Sequence, residues 1–283
     1  MSKRHLIALI ALCGALAAPA KAESVLGINS VAYGGGIYSI DVDTGIATLV
    51  ESTSSAALGS SANSGNSLAR GDNGVLYYTS FGLTSNDTLF ASEGGIPVAA
   101  GGLVGNVAFG TYGDGAYWYI ANNSPFIHQV GFESSGTSIV TDTAFAMSGD
   151  VKPYALGDIA FSGSTIYGAG VTDNGQELFG IDLTTFAVTT IASLPVNLQL
   201  AFAGSTLIGL NTTTGDIYDV NLSTGALTYR STVSSAAGGE LRINDLASAG
   251  SNPSVIPEPA ALTSGSLGGL LIAAGAWCRR RRS

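Results

Sequence analysis

One histidine, a few repeated aspartates and a run of aromatic residues are the side chains in residues 23–256 whose types could do chemistry. His128 lies in Asn123-Ser124-Pro125-Phe126-Ile127-His128-Gln129-Val130, and any Ser-His-Asp triad in this span has to use it. No Gly-x-Ser-x-Gly elbow accompanies it, so a surface histidine on a strand is expected. One histidine without cysteine also falls short of a His/Cys zinc site. The two cysteines, Cys13 and Cys278, stand outside the span. A disulfide or a thiolate nucleophile within it is thereby excluded.

The aspartates offer more. Asp41-Val42-Asp43-Thr44-Gly45 places oxygens at alternate positions before a glycine, like the start of a calcium loop. The third acidic position and the closing glutamate are missing. Similar stretches carry Asp182 and Asn221 in the place of Asp41, followed by Thr or Ser, which predicts an Asx-type turn instead. Asp158 and Asp245 also occupy equivalent positions, each followed by an apolar residue and Ala. Hydrogen bonding at a turn or the start of a strand is the role expected of a repeated Asp; the alternative is that these two and Asp72 converge on a divalent metal. Tyr77, Tyr78, Tyr112, Tyr117, Trp118 and Tyr119 could stack on sugar rings, but packing between repeats is the expected role. Gly34-Gly35-Gly36 and Gly101-Gly102 read as turns, since no strand-to-helix phosphate loop follows them.

The elements that must position these residues are short strands. Brief runs alternate apolar and polar and end at Gly, Asn, Asp or Ser. They also recur as a set. Ala160-Phe161-Ser162-Gly163-Ser164-Thr165-Ile166-Tyr167-Gly168 repeats as Ala201-Phe202-Ala203-Gly204-Ser205-Thr206-Leu207-Ile208-Gly209. Leu178-Phe179-Gly180-Ile181-Asp182 repeats at nearly the same interval as Ile217-Tyr218-Asp219-Val220-Asn221. Four strands per period of about 40 residues make a propeller blade. The best copy predicts strands at 158–162, 165–171, 177–182 and 188–194. Complete units are expected at about 66–100, 105–142, 154–194 and 197–233. A lone first strand at 241–247 would join three strands within 24–51 to complete a fifth blade and leave no free edge. The fold class expected is all-β, a propeller of about five four-stranded blades; a β-sandwich or a β-solenoid is the alternative.

Charge bears on partners. Residues 23–256 hold 19 carboxylates against Arg70, Lys152, Arg230 and Arg242, a net of −15, against −9 for the whole chain. Such a surface repels nucleic acid, so no nucleic-acid partner is expected.

The two ends read as addresses. Residues 1–22 have Lys3 and Arg4, an apolar run from Leu6 to Ala18, and a small-x-small site at Ala20-Lys21-Ala22. This is an export leader cleaved before Glu23. The body is expected over 23–248 and a Gly/Ser/Pro linker over 249–256. In 257–283, Pro257-Glu258-Pro259 precedes an uncharged stretch, Ala260 to Cys278, and then Arg279, Arg280, Arg281 and Arg282. As a helix that stretch spans about 28 Å, the thickness of a bilayer's hydrocarbon, with the arginines cytoplasmic. A single transmembrane helix is therefore expected at 260–278.

In that order these three elements resemble the PEP-CTERM sorting signal of Gram-negative bacteria. Ile256 stands where the family usually has Val. The resemblance covers the chain from Val255 to Ser283. It implies recognition by an exosortase, cleavage near Pro257-Glu258-Pro259, and association with exopolysaccharide and biofilm. A permanent membrane anchor is the alternative. The function expected is a non-enzymatic surface or matrix protein, its propeller a module that binds or scaffolds extracellular polysaccharide or another surface protein. A metal-dependent propeller hydrolase or lactonase is the second reading.

Overall fold

Alternating apolar and polar residues have no stable place until one strand face is buried, and here each sheet buries its faces on its neighbours. The computed structural model describes residues 23–29, 35–53, 65–80, 86–149, 153, 155–238 and 241–250. The expected leader at 1–22 and the expected tail at 257–283 lie outside the described residues.

The described strands form five sheets. Blade I holds β4 (Gly65–Arg70), β5 (Leu76–Ser80), β6 (Thr88–Glu93) and β7 (Ile96–Gly102). Blade II holds β8 (Val107–Gly113), β9 (Ala116–Ala121), β10 (Phe126–Phe132) and β11 (Ile139–Ala146). Blade III holds β12 (Ala155–Ser162), β13 (Thr165–Thr172), β14 (Gly175–Asp182) and β15 (Val188–Ser193). Blade IV holds β16 (Gln199–Ala203), β17 (Thr206–Asn211), β18 (Asp216–Val220) and β19 (Leu227–Thr232). Blade V joins β21 (Ile243–Ser248) to β1 (Ser24–Asn29), β2 (Gly36–Asp41) and β3 (Ile46–Glu51).

The innermost strands close a ring. β4 packs on β8, β8 on β12, β12 on β16, β16 on β21 and β21 on β4. Five apolar clusters fill the five junctions. Phe109, Trp118, Phe161 and Phe179 meet between blades II and III, for example, and Leu26, Ile28, Leu68 and Tyr78 between V and I. This is a five-bladed β-propeller, closed by pairing the C-terminal strand with the N-terminal three. Each fully buried Phe or Leu in these layers contributes roughly 1.5–3 kcal/mol. The sequence did not predict β20 (Ser234–Ser235), which runs parallel to β3 on the outer edge of blade V.

Arg230 on β19 fastens this closing junction. Its guanidinium donates to Glu23, Asp43 and Asp219 at 2.7–3.0 Å, so blade IV grips the first residue of blade V and its β2–β3 turn.

Candidate functional site

The predicted turn aspartates come first, because their geometry is set by neighbours in sequence. Asp41 Oδ1 accepts from the backbone N–H groups of Asp43 (3.1 Å) and Thr44 (2.9 Å), and from the Thr44 hydroxyl (3.0 Å). Asp182 does the same with Thr184 and Thr185, and Asn221 with Ser223 and Thr224. Hydrogen bonds from the Thr44 backbone, ahead of all other causes, hold the Asp41 carboxyl below its ordinary range; those from Thr185 do so for Asp182. These are Asx turns, and the oxygen a calcium ion would need is already committed.

The ring closure brings Asp158 and Asp245 together. They sit at matching places on β12 and β21, blades separated by blade IV, and their carboxyls meet across the propeller axis within hydrogen-bonding reach. Both are buried, at 0% and 1% exposure. Each reaches to the next blade: Asp158 Oδ2 accepts from the Leu200 N–H at 3.0 Å, and Asp245 Oδ2 accepts from the Leu68 N–H. Asp158 Oδ1 also accepts from the Ile159 N–H at 2.7 Å. Burial pushes both carboxyls up, Asp158 well above its ordinary value with help from Asp245, and Asp245 to about 8. The pair therefore holds at least one proton at neutral pH.

Tyr117 closes the same spot. Its hydroxyl donates to the Ser67 carbonyl at 2.9 Å. A Cβ on Gly110 would stand 2.2 Å from that hydroxyl, so this place on β8 accepts no side chain. Burial, then Asp245 and Asp158, drives the Tyr117 hydroxyl far above its ordinary pKa. The axis is closed by buried side chains at this level.

Asp72 does not join them. It is exposed in the β4–β5 turn, beside Tyr112. Among the described residues no three His, Cys, Asp or Glu side chains converge. The three converging carboxylates that a channel metal would need are not there; Asp158 and Asp245 instead accept from backbone N–H groups, the strand-start role expected of them. This counts against the hydrolase or lactonase reading.

The surface placement expected for His128 is also corrected. The ring is buried, stacked on Tyr119 with centroids 4.5 Å apart. Its Nδ1 lies 2.8 Å from Asp142 Oδ1, and the Tyr119 hydroxyl donates to Asp142 Oδ2 at 2.7 Å. Burial raises the Asp142 carboxyl, but the hydrogen bonds from His128 and Tyr119 outweigh it and hold it below the ordinary range. An ionised carboxylate only accepts, so Nδ1 carries the hydrogen. Asp142 stands on the strand after that of His128, and the pairing of β10 with β11 brings the two together. Sequence spacing alone gave no signal of it. The aromatics behave as the packing reading expects: Tyr77, Tyr78, Tyr117 and Tyr119 are fully buried, and Trp118 is nearly so.

A cleft of about 300 Å³ opens between blades IV and V, lined by Leu210, Thr212–Gly215, Val233, Ser234 and Leu241–Ile243. Nothing in the sequence marked it, because its walls come from three separate segments.

No family model matches the chain. No curated protein matches it either. Family membership resting on the tail is thereby corrected. The PEP-CTERM, exosortase, signal-peptide and transmembrane-helix labels gain no support from these comparisons, and β-propeller repeat is what stands. Among the described residues no helix is long and apolar enough to cross a membrane.

Solved structures do resemble the chain. A calcium-binding protein, regucalcin, from Agrobacterium tumefaciens str. C58 is 14% identical with a TM-score of 0.48, over 67% of this chain and 65% of that one. A nidogen/laminin complex gives 12% identity and a TM-score of 0.48, over 80% of this chain and 85% of that one. An auxiliary nutrient binding protein from Bacteroides thetaiotaomicron VPI-5482 gives 10% and 0.49, over 75% and 55%. At these scores the likenesses carry no argument about what this chain binds. The five-bladed architecture rests on its own strand pairing.

Proposed function

We propose that this chain is an exported, non-enzymatic module that binds or scaffolds extracellular polysaccharide or another surface protein. The observation that carries the reading is the fate of the reactive residues. The axial aspartates cap backbone amides, and His128 is locked between Tyr119 and Asp142. The axial pair is enclosed in the packing that closes the ring, and the His128 ring is buried against Tyr119. A rigid closed body with these groups spent internally suits recognition by its surface. The basic start and apolar run of residues 1–22, and the Arg-ended apolar segment 260–282, support delivery out of the cytoplasm. The net charge of −15 over 23–256 suits solubility there and disfavours nucleic acid.

Two measurements test this. The full-length chain, in detergent micelles, is screened against extracellular polysaccharides and surface proteins of the cells that make it. Saturable binding without turnover is expected; turnover of a bound polymer or lactone overturns the reading. Mass spectrometry of the protein outside the cell gives its ends. An N-terminus at Glu23 is expected, and a chain found only in the cytoplasm with Met1 in place overturns export. A C-terminus near Pro257 means the tail is cut away, while an intact Arg282 means it is kept as an anchor.

A further inference from the structure

The cleft between blades IV and V lies where the ring is fastened. At about 300 Å³ it matches the lower end of small-ligand sites. One wall is the β17–β18 turn. Asn211 Oδ1 accepts from the Thr213 N–H at 3.0 Å, the Gly215 N–H donates to the Asn211 carbonyl at 2.8 Å, and the Val233 N–H donates to the Gly215 carbonyl at 2.8 Å. This wall is already ordered, so a ligand need not pay for ordering it.

The cleft differs in charge from the rest of the surface. None of its lining residues is acidic and one, Arg242, is basic, in a span with 19 carboxylates and four bases. Arg230 is held by Glu23, Asp43 and Asp219, and Arg70 donates to the Ala249 carbonyl. Lys152 lies outside the described residues. Arg242 also has an interaction within the protein. A guanidinium carries five N–H donors, enough for that interaction and for a carboxylate held by two parallel bonds. Thr212, Thr213 and Ser234 bring hydroxyls to the walls, while the Thr214 hydroxyl is engaged with Asp216; Leu210, Val233, Leu241 and Ile243 bring apolar surface. Cation, hydroxyls and apolar patches together match a small ring bearing hydroxyls, C–H faces and one carboxylate.

We propose that this cleft binds a carboxylated sugar of the hexuronate class, with Arg242 on the carboxylate and the Thr and Ser hydroxyls on those of the ring. The assignment deepens the binding-module reading by naming a ligand class and a place. It rests on that reading for the larger molecule that displays such a sugar.

The test is calorimetric titration of the full-length chain, in detergent micelles, with glucuronate, galacturonate, glucose, acetate and inorganic phosphate. Both uronates are expected to bind at least ~10-fold more tightly than glucose, with an affinity that falls as salt rises. Arg242→Gln is expected to weaken uronate binding by about 10-fold or more, on the scale of a charge-assisted hydrogen bond. Thr213→Val should weaken uronate by about 3-fold and leave acetate unchanged, within the range of a neutral hydrogen bond. Arg242 and Thr213 are exposed, so unchanged melting curves should show both variants folded. The proposal is overturned if no uronate binds, if Arg242→Gln binds as the wild type does, or if acetate and phosphate match the uronates. Polysaccharide binding that survives Arg242→Gln removes the cleft assignment and leaves the module reading. Uronate in the cleft with no polymer bound does the reverse.

Discussion

Aspartates on the axis and aspartates in the rim turns recur by the same repeat, yet they serve the fold in opposite ionisation states. Asp158 and Asp245 lie in the dry centre of the ring, where a charge is costly, and they stay protonated between them. Asp41 and Asp182 lie at strand ends in solvent, where two backbone N–H groups and a hydroxyl favour the charge. The difference shows that a repeated aspartate says little about chemistry until its distance from the axis is known. At the axis it ties one blade to the next, and at the rim it shapes a single hairpin.

The largest expected effect comes from breaking the axial side. Asp158→Ala leaves the Leu200 and Ile159 N–H groups without their acceptor in a buried place. At roughly 1–3 kcal/mol for each buried unsatisfied group, a loss of about 3 kcal/mol is expected in urea unfolding. Asp158→Asn keeps one acceptor oxygen and should lose clearly less. A loss from Asp158→Ala no larger than that from an exposed substitution would show that the pair does not hold the ring.

The second effect is one of sign. A carboxyl whose folded pKa is raised gives stability that is full below its unfolded value near 3.8 and is lost as pH climbs through its folded value, about 8 for Asp245. Asp41, Asp142 and Asp182, with lowered values, act the other way and lose their contribution as pH falls below the ordinary carboxylate range. Tyr117 is the ionisable neighbour of the axial pair, and burial keeps it neutral throughout. Stability is therefore expected to decline between about pH 5 and 8, the opposite of the usual rise for a carboxylate-rich protein. Asp245→Asn removes one titrating carboxyl and should flatten that decline when melting temperature is followed against pH. An unchanged slope would move its origin away from the axis.

Much of this was legible beforehand. The repeat period and the fragments at either end gave five blades and the closing pair, because alternation and turn residues recur in the order the blades stack. The strands expected at 165–171 and 177–182 are β13 and β14 to within a residue or two. The pairing of Asp158 with Asp245 was not legible, since matching repeat positions say nothing about meeting across an axis. The His128–Asp142 contact and the cleft were hidden for the same reason: strand register and ring closure bring them together. Phe186 gives a finer case. It takes φ +56° where the equivalent residues are Gly45 and Gly225. A left-handed residue with a side chain costs roughly 1–2 kcal/mol. Stacking on Phe145, with centroids 4.3 Å apart, offsets it, and a glycine-based turn rule cannot foresee that.

A third prediction concerns charge at the rim. Arg230→Gln removes the cation that neutralises Glu23, Asp43 and Asp219 and leaves three carboxylates facing each other. The cluster is partly open to water, so the expected loss is modest, about 1–2 kcal/mol for a network of otherwise weak surface pairs. Raising salt from about 0.05 to about 0.5 M, roughly a threefold shortening of the screening length, should erase much of it. The axial substitutions should keep their cost under the same change, because buried groups are screened far less. Equal salt sensitivity in the two regions would remove the distinction between them.

The smallest effect is the sharpest test of the rim. In the turn of blade IV the chain itself places Asn221 where blade V has Asp41, and both accept the same backbone N–H groups. Asp41→Asn keeps the accepting oxygen and gives up only the charge, whose remaining partner is the distant Arg230. A change within about 0.5 kcal/mol is expected, as for surface substitutions away from special features. Asp41→Ala removes the acceptor from two N–H groups and a hydroxyl at an open site, so water replaces it and the cost stays near ~1 kcal/mol. Thermal melting of the two variants together separates geometry from charge. If Asp41→Asn costs as much as Asp41→Ala, the charge is what the turn needs, and the rim and axis differ in the sign of a charge effect. If it is nearly neutral, the turn aspartates are acceptors first, and of the two repeated sets only the axial pair makes ionisation matter to the fold.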